Sequence, residues 1–137
     1  MIYDLRFMNE EKRKIRSFTD LLAWQESHKL LLAIYIETKK FPKEELFCLI
    51  SQMRRAALSI TSNIAEGFGR QGYKEKIHFY YLAQGSLTEL KNQLLAAKDI
   101  GYVNKDNFNQ LAIQANKTHQ LLHGLIRSSK LFLNRKS

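Results

Sequence analysis

Near the end of the chain, His119, His123, Arg127 and Lys130 step by four, four and three residues. That spacing puts four basic side chains in one column along a helix. Such a column can meet successive phosphates of a nucleic-acid backbone. No acidic residue follows Asp106, and the residues beyond it hold five of the nine net positive charges. Lys117, Arg135 and Lys136 belong to the same segment, and Lys12, Arg13, Lys14 and Arg16 form a second basic run. A basic surface without a base-reading module predicts contacts driven by charge and shape, with strong salt dependence. The competing reading is ordinary solubilising charge.

Other chemistry is thinly represented. His119 and His123 have the i, i+4 spacing that can hold a metal. However, no H-E-x-x-H motif is present and no carboxylate lies in the segment, so we expect an exposed pair and no metal site. His28 should face the core beside Trp24 as a structural histidine, and His78 has no evident catalytic partner. Cys48 is the lone cysteine, which excludes a disulfide framework and any C-x-x-C zinc motif. The glycines of GFGRQG at 67–72 follow a helix rather than a strand and lack the G-K-[ST] ending of a phosphate loop. Glu44 and Glu45 read as first-turn helix charges, not as an acid–base pair. No catalytic residue, cofactor or metal is expected, and the chain reads as a non-enzyme.

The elements that must carry these residues are helices. A chain of 137 residues with one proline and six glycines is one domain's worth of protein, outside the collagen-like and low-complexity classes. Nothing reaches the ~18 apolar residues of a membrane span, and the N-terminus lacks a signal-peptide core. A small, basic, cytoplasmic helical domain without a membrane role is therefore expected. The first helix runs from about Thr19 to Lys40, with Thr19 or Ser17 as N-cap, and its face is Leu21, Trp24, His28, Leu31 and Tyr35. Pro42 ends it. The second carries Leu46, Ile50, Met53, Ala57, Ile60 and Ile64 in one register, with Gly67 as the residue just past its end. The third, from about Gly72 to Asp99, carries Tyr80, Ala83, Leu87, Leu90, Leu94 and Ala97. The fourth starts near Asn104 and carries Phe108, Leu111, Ala115, Thr118, Leu122, Leu125, Ser129 and Phe132. Short connections and a heptad-like period predict an all-α, up-down-up-down antiparallel four-helix bundle over residues 18–134. Residues 1–17 read as a flexible basic arm, and Met8 is as sensible a start as Met1.

Two helices are too apolar for a monomer's surface. Residues 30–36 are apolar all round the helix, as are residues 79–83. Burying several such side chains is worth roughly 1.5–3 kcal/mol each before the cost of association. The chain is therefore expected to be a homo-oligomer with Leu30, Ile34, Phe47, Leu58 and Phe79 at its interface. A slightly overfilled core is the alternative.

The densest motif is QMRRAALSITSNIAEGFGR, residues 52–70. Ala56, Ser59 and Asn63 line one flank of its helix, and Ala83, Gly85 and Ser86 of the third helix offer a small-residue counterpart. Asn63 and Glu66 would then need polar partners, Arg54 being a candidate, while Arg55 points furthest from the core. The motif reads chiefly as specifying helix pairing and subunit geometry, with a ligand site as the other reading.

FTDLLAWQESHKL, FPKEELFCLISQMRRAALSITSNIAEGFGR and YLAQGSLTELKNQLLAAKDIGYV together resemble the bacterial four-helix-bundle family of 23S rRNA intervening-sequence proteins. The resemblance covers about residues 18–103 and weakens over the last helix. It implies an up-down bundle assembled as a ring-shaped homopentamer, with Asn63, Glu66, Gly67, Gly85 and Ser86 as structural motif positions. Relatives of the family include the basic accessory protein of diversity-generating retroelements, which binds nucleic acid and a reverse transcriptase. The biochemical function of most members is unknown. The family often has proline after the Ser-Ile pair; Thr61 stands there in this chain and could return its hydroxyl to the backbone. Two functions follow as expectations. One is non-enzymatic binding of RNA or DNA through Arg127, Lys130, His119, His123, Lys117, Arg54 and Arg55. The other is a protein-interaction scaffold that recruits a nucleic-acid-processing partner.

Overall fold

The computed structural model describes residues 15–136, so most of the basic arm expected over residues 1–17 lies outside the described residues. Four long helices dominate: α1 (Leu22–Thr38), α2 (Ser51–Gly69), α3 (Tyr73–Ile100) and α4 (Lys105–Lys136). No strand occurs among the described residues. Each helix packs on its chain neighbour, and α4 closes the set by packing on α1. One hydrophobic core runs between them.

The expected apolar stripe of α3 is the observed one, and so is that of α4 apart from Phe108 and Phe132 near its ends, which are half-buried. Tyr80, Ala83, Leu87, Leu90, Leu94 and Ala97 are buried, as are Leu111, Ala115, Thr118, Leu122, Leu125 and Ser129. Thr118 and Ser129 can lie inside because each hydroxyl donates to a carbonyl one turn back, Gln114 O at 2.9 Å and Leu125 O at 2.8 Å. Gly101 ends α3 at φ 101°, and the Asn104 side chain accepts from Asn107 N at 2.8 Å to start α4.

On α1 the inward face differs from the expected one. Ala23, Ser27, Leu30, Ile34 and Thr38 are buried together with the expected Leu21 and Leu31, whereas Trp24, His28 and Tyr35 of the expected face lie one residue out of step with this inner stripe. The two hydroxyls explain the shift. Ser27 Oγ donates to Trp24 O at 3.0 Å and Thr38 Oγ1 to Ile34 O at 2.7 Å, so both polar groups are satisfied inside. Trp24 instead lies half-buried at the rim, stacked on His28 with ring centroids 4.7 Å apart. Leu30 and Ile34 are 0% exposed within the single chain, which corrects their assignment to a subunit interface. Packing against both α2 and α4 widens the arc of α1 that is buried. The apolar residues left outside are Leu32, Tyr35 and Ile36.

The start of α1 is also more broken than expected. Ser17 and Asp20 do form a capping box, but it caps a short 3₁₀ turn, Phe18–Asp20. Leu21 is then extended, and α1 begins after it. Ile15 packs against the core.

The second stripe breaks at its N-terminal end. A 3₁₀ turn (Lys43–Glu45) and a π turn (Leu46–Ile50) precede α2, with Cys48 outside helical geometry at φ −119°, ψ −106°. The wider turn puts Leu46 out of register and exposed, and beside it Phe47 is 89% exposed. From Ile50 the expected positions are buried through Ile64, and Gly67 continues the same stripe. Gly67 therefore lies inside α2, not past its end. A Cβ there would stand 2.7 Å from Tyr80 Cε1, so glycine is required for this close approach. Gly85 has no such role within the chain, since a Cβ there would meet nothing within 4 Å.

Candidate nucleic-acid interface

The column on α4 divides between two flanks. Lys117 faces α1, where Nζ lies 2.8 Å from Glu26 Oε1. Glu26 is 5% exposed and is also held by Lys29 at 2.9 Å, with Gln114 Nε2 donating to its carboxylate at 3.4 Å and to its backbone carbonyl at 2.9 Å. Burial pushes this carboxyl up, but the bonds from Lys117, Lys29 and Gln114 together outweigh it and hold the group down at about 2. Lys117 is thus committed to a buried carboxylate. Its expected role in nucleic-acid binding is corrected.

His119 faces the other way, toward α3. Lys91 Nζ lies 2.8 Å from Nδ1, and the Gln84 side-chain amide lies 3.3 Å from Nε2. A lysine ammonium can only donate, so Nδ1 is the acceptor and Nε2 carries the proton; Gln84 Nε2, itself a donor, makes no hydrogen bond to it. Burial, Lys91 and His123 all hold His119 below the ordinary histidine value. Burial likewise lowers Lys91. His119 is therefore half-buried and engaged, not one of an exposed pair.

His123, Arg127 and Lys130 continue the column at exposed positions, and Lys130 Nζ lies over the Tyr81 ring at 5.1 Å from its centroid. These contacts orient α3. Tyr81, Gln84, Thr88 and Lys91 step by three, four and three along the flank that meets α4. At 3.6 residues per turn, Glu75 and Glu89 fall on the opposite side of α3 from Lys91.

The remaining expected site residues are scattered. Arg54 is half-buried between α1 and α2, with Nε donating to Thr38 Oγ1 at 2.9 Å and the guanidinium 4.5 Å from the Tyr35 ring centroid. It does not serve Asn63 or Glu66. Asn63 Nδ2 donates to Ser59 O at 2.9 Å and Ser59 Oγ at 3.0 Å, while Glu66 pairs with Arg70 at 3.2 Å. Arg55 is exposed on α2. Ser59 and Ser86 meet at 2.8 Å, so the flank of α2 does pair with that of α3. Thr61 Oγ1 donates to Leu58 O at 2.9 Å, as its position suggested. Of the expected interface residues, Phe47 and Leu58 are exposed, and Phe79 is half-buried under Arg70, whose guanidinium is 4.7 Å from the ring centroid.

Sequence reasoning missed Lys91 and Lys76. Lys76 Nζ donates to Phe68 O at 2.6 Å, near the C-terminal end of α2, beside a largely apolar cavity of about 220 Å³ that Tyr73, Tyr80 and Phe132 also line. Burial lowers this amine. Its donors are directed at helix-end carbonyls, which is a structural role.

The family model described as 23S rRNA-intervening sequence protein matches residues 19–124. The chain belongs to this family. The match reaches into α4, beyond the 18–103 stretch that carried the resemblance. No curated protein matches this 23S rRNA-intervening sequence protein. Among solved structures it is similar to a protein of unknown function from the S23 ribosomal protein family of Bacteroides thetaiotaomicron VPI-5482. That likeness has a TM-score of 0.71 at 18% identity and covers 77% of this chain and 96% of the other. It supports the all-helical fold. Among the described residues no helix is long and apolar enough to cross a membrane.

Proposed function

We propose that this family member is a non-enzymatic, cytoplasmic homo-oligomer that binds RNA or DNA through basic surfaces without base-specific readout. The observation that carries the reading is the α3-facing side of α4. His123 and Lys130 lie exposed there, Arg127 is exposed further round the helix, and α3 brings Lys91 rather than a carboxylate to meet the column. Summed over identical subunits, such a surface would attract a polyanion. Glu26, Lys76 and His119, whose protonation is shifted, are each bonded within the fold: Glu26 to Lys117, Lys76 to the Phe68 carbonyl, His119 to Lys91. This favours binding over catalysis.

The up-down-up-down order and a pentameric ring complete the proposal. Antiparallel α2 and α3 are supported by their pairings, Ser59 with Ser86 and Gly67 with Tyr80, whose numbers run in opposite directions. The pentamer comes from the family resemblance. Phe47 and Leu58, with Leu32 and Ile36, are among the exposed apolar side chains available for subunit contacts. The 89% exposure of Phe47 also favours a second reading, a scaffold that recruits a protein partner.

Titrating structured RNA and duplex DNA at two salt concentrations tests the proposal. Tight binding that falls steeply with salt is expected. Indifference to both nucleic acids leaves the scaffold. Light scattering should report a particle several times the 16.1 kDa chain mass, and a monomer at micromolar concentration would defeat the oligomer.

A further inference from the structure

The α3–α4 groove combines two features that the basic column alone does not have. The first is an aromatic platform. Tyr81 is 43% exposed on α3, directly beside Lys130 of α4. The second is a set of lysine and histidine side chains from both walls. Lys91 enters from α3, while His123 and Lys130 enter from α4, with His119 and the Gln84 amide between them. From His119 to Lys130 the α4 wall rises about 16 Å, enough for several nucleotides.

We propose that this groove binds single-stranded nucleic acid, with a base stacked on Tyr81 and the backbone phosphates running along Lys130, His123 and Lys91. A base in a duplex has both faces stacked already and cannot meet the Tyr81 ring. An unpaired base can, and it presents its phosphate within reach of the lysine that now lies over that ring. Lys130 is long and flexible and swings from ring to phosphate without moving the backbone. Stacking tolerates any base, so the groove is indifferent to sequence. DNA and RNA strands share the chemistry that is recognised here.

The inference rests on the nucleic-acid reading above, and one set of titrations separates the two. Oligo(dT), oligo(U) and a duplex of equal length, roughly 15 nucleotides, are titrated at several salt concentrations. Single strands should bind more tightly than the duplex; oligo(U) binding alone would assign the groove to RNA, and oligo(dT) binding alone to DNA. Tyr81→Ala should weaken single-strand binding roughly 5- to 150-fold with little change in the salt slope, and Tyr81→Trp should retain it. Lys91→Gln should lower the magnitude of the slope by about 0.7, and Lys91→Arg should restore it. Circular dichroism and light scattering on each variant establish that helicity and assembly persist. If the wild type binds but both Tyr81→Ala and Lys91→Gln bind as it does, the groove is rejected and the broader reading stands. Preference for the duplex, or loss of assembly in Tyr81→Ala, also rejects it, the latter by assigning the ring to a subunit contact. If no nucleic acid binds, both readings fall.

Discussion

On the α1 side of α4, Lys117 meets a carboxylate that is almost entirely buried; on the α3 side, the neutral His119 ring accepts from the Lys91 ammonium. The two residues are only two positions apart, yet one flank is neutralised and the other gathers positive charge. The first arrangement holds helices together, since a buried Glu26 without its lysines would keep an unpaired charge out of water. The second joins the Lys91 ammonium to a neutral acceptor that does not compensate its charge, while burial and that ammonium oppose protonation of the ring. An ammonium bonded to a neutral acceptor, beside further exposed basic residues, keeps its charge available to an anion.

The largest effect expected from testing this contrast lies on the α1 flank. A carboxyl held below its unfolded value stabilises the fold above that unfolded value and loses the contribution as pH falls through the folded one. For Glu26 the window runs from 4.5 down to about 2, and the contribution at neutral pH is about 3 kcal/mol. Denaturant unfolding should show wild-type stability declining across that window. Glu26→Gln should cost about 3 kcal/mol at pH 7 and flatten the decline. An unchanged acid limb would mean that the Lys117–Glu26 pair does not form in solution.

Next in size is the exchange of roles between the two lysines. Lys117→Gln should lower stability by about 1.5–3 kcal/mol, the range for a hydrogen bond to a charged group, and leave nucleic-acid affinity nearly unchanged. Lys91→Gln should do the reverse, with stability within about 0.5 kcal/mol of wild type. Should Lys117→Gln weaken binding as much as Lys91→Gln does, the flanks are not distinct.

This contrast shows where sequence is legible. The stripes of α3 and α4 could be read because their apolar residues recur at helical spacing without a polar competitor. The α1 stripe could not, because Ser27 and Thr38 are buried by bonding to their own helix, and periodicity counts them as polar. The Leu46–Ile50 π turn left no mark, since a one-residue slip in register changes no residue type. Gly67 resembles a helix stop in sequence, and only the Tyr80 ring beside it shows why glycine stands there. The basic column was visible as a column, but its charge balance was judged from neighbours in sequence. Glu26, the acid that neutralises Lys117, lies more than half the chain away. Lys91 was passed over for the same reason: on its own helix it is an ordinary lysine, and only the fold brings it to His119.

A smaller effect concerns His119 itself. Its folded value lies below 6.5, so the fold loses stability as pH falls from that value through the lowered one. The groups that face it are Lys91 and Gln84 from α3 and His123 from its own helix. Removing the ammonium in Lys91→Met should raise the His119 titration midpoint read by NMR of the ring protons. A midpoint that stays in place would mean that Lys91 points into solvent.

The smallest change in stability, and the most specific one in binding, belongs to the exposed end of the α3 flank. Arg127 and Lys130 lie outside the apolar stripe of α4, so converting both to Gln should leave helicity, assembly and stability within about 0.5 kcal/mol of wild type. Binding should weaken for every sequence alike, because phosphate contacts carry no sequence information. Each lost contact lowers the magnitude of the log-affinity against log-salt slope by about 0.7 on single strands, or 0.9 on duplex DNA. Lys40 and Lys98 serve as the comparison for Lys130, since Lys40 pairs with Glu37 at 3.5 Å and Lys98 with Asp99 at 3.9 Å. Their replacement should move the slope less. If the double variant binds normally while Arg55→Gln abolishes binding in a still-assembled protein, the phosphate surface lies on α2 and the contrast between the flanks of α4 concerns stability alone.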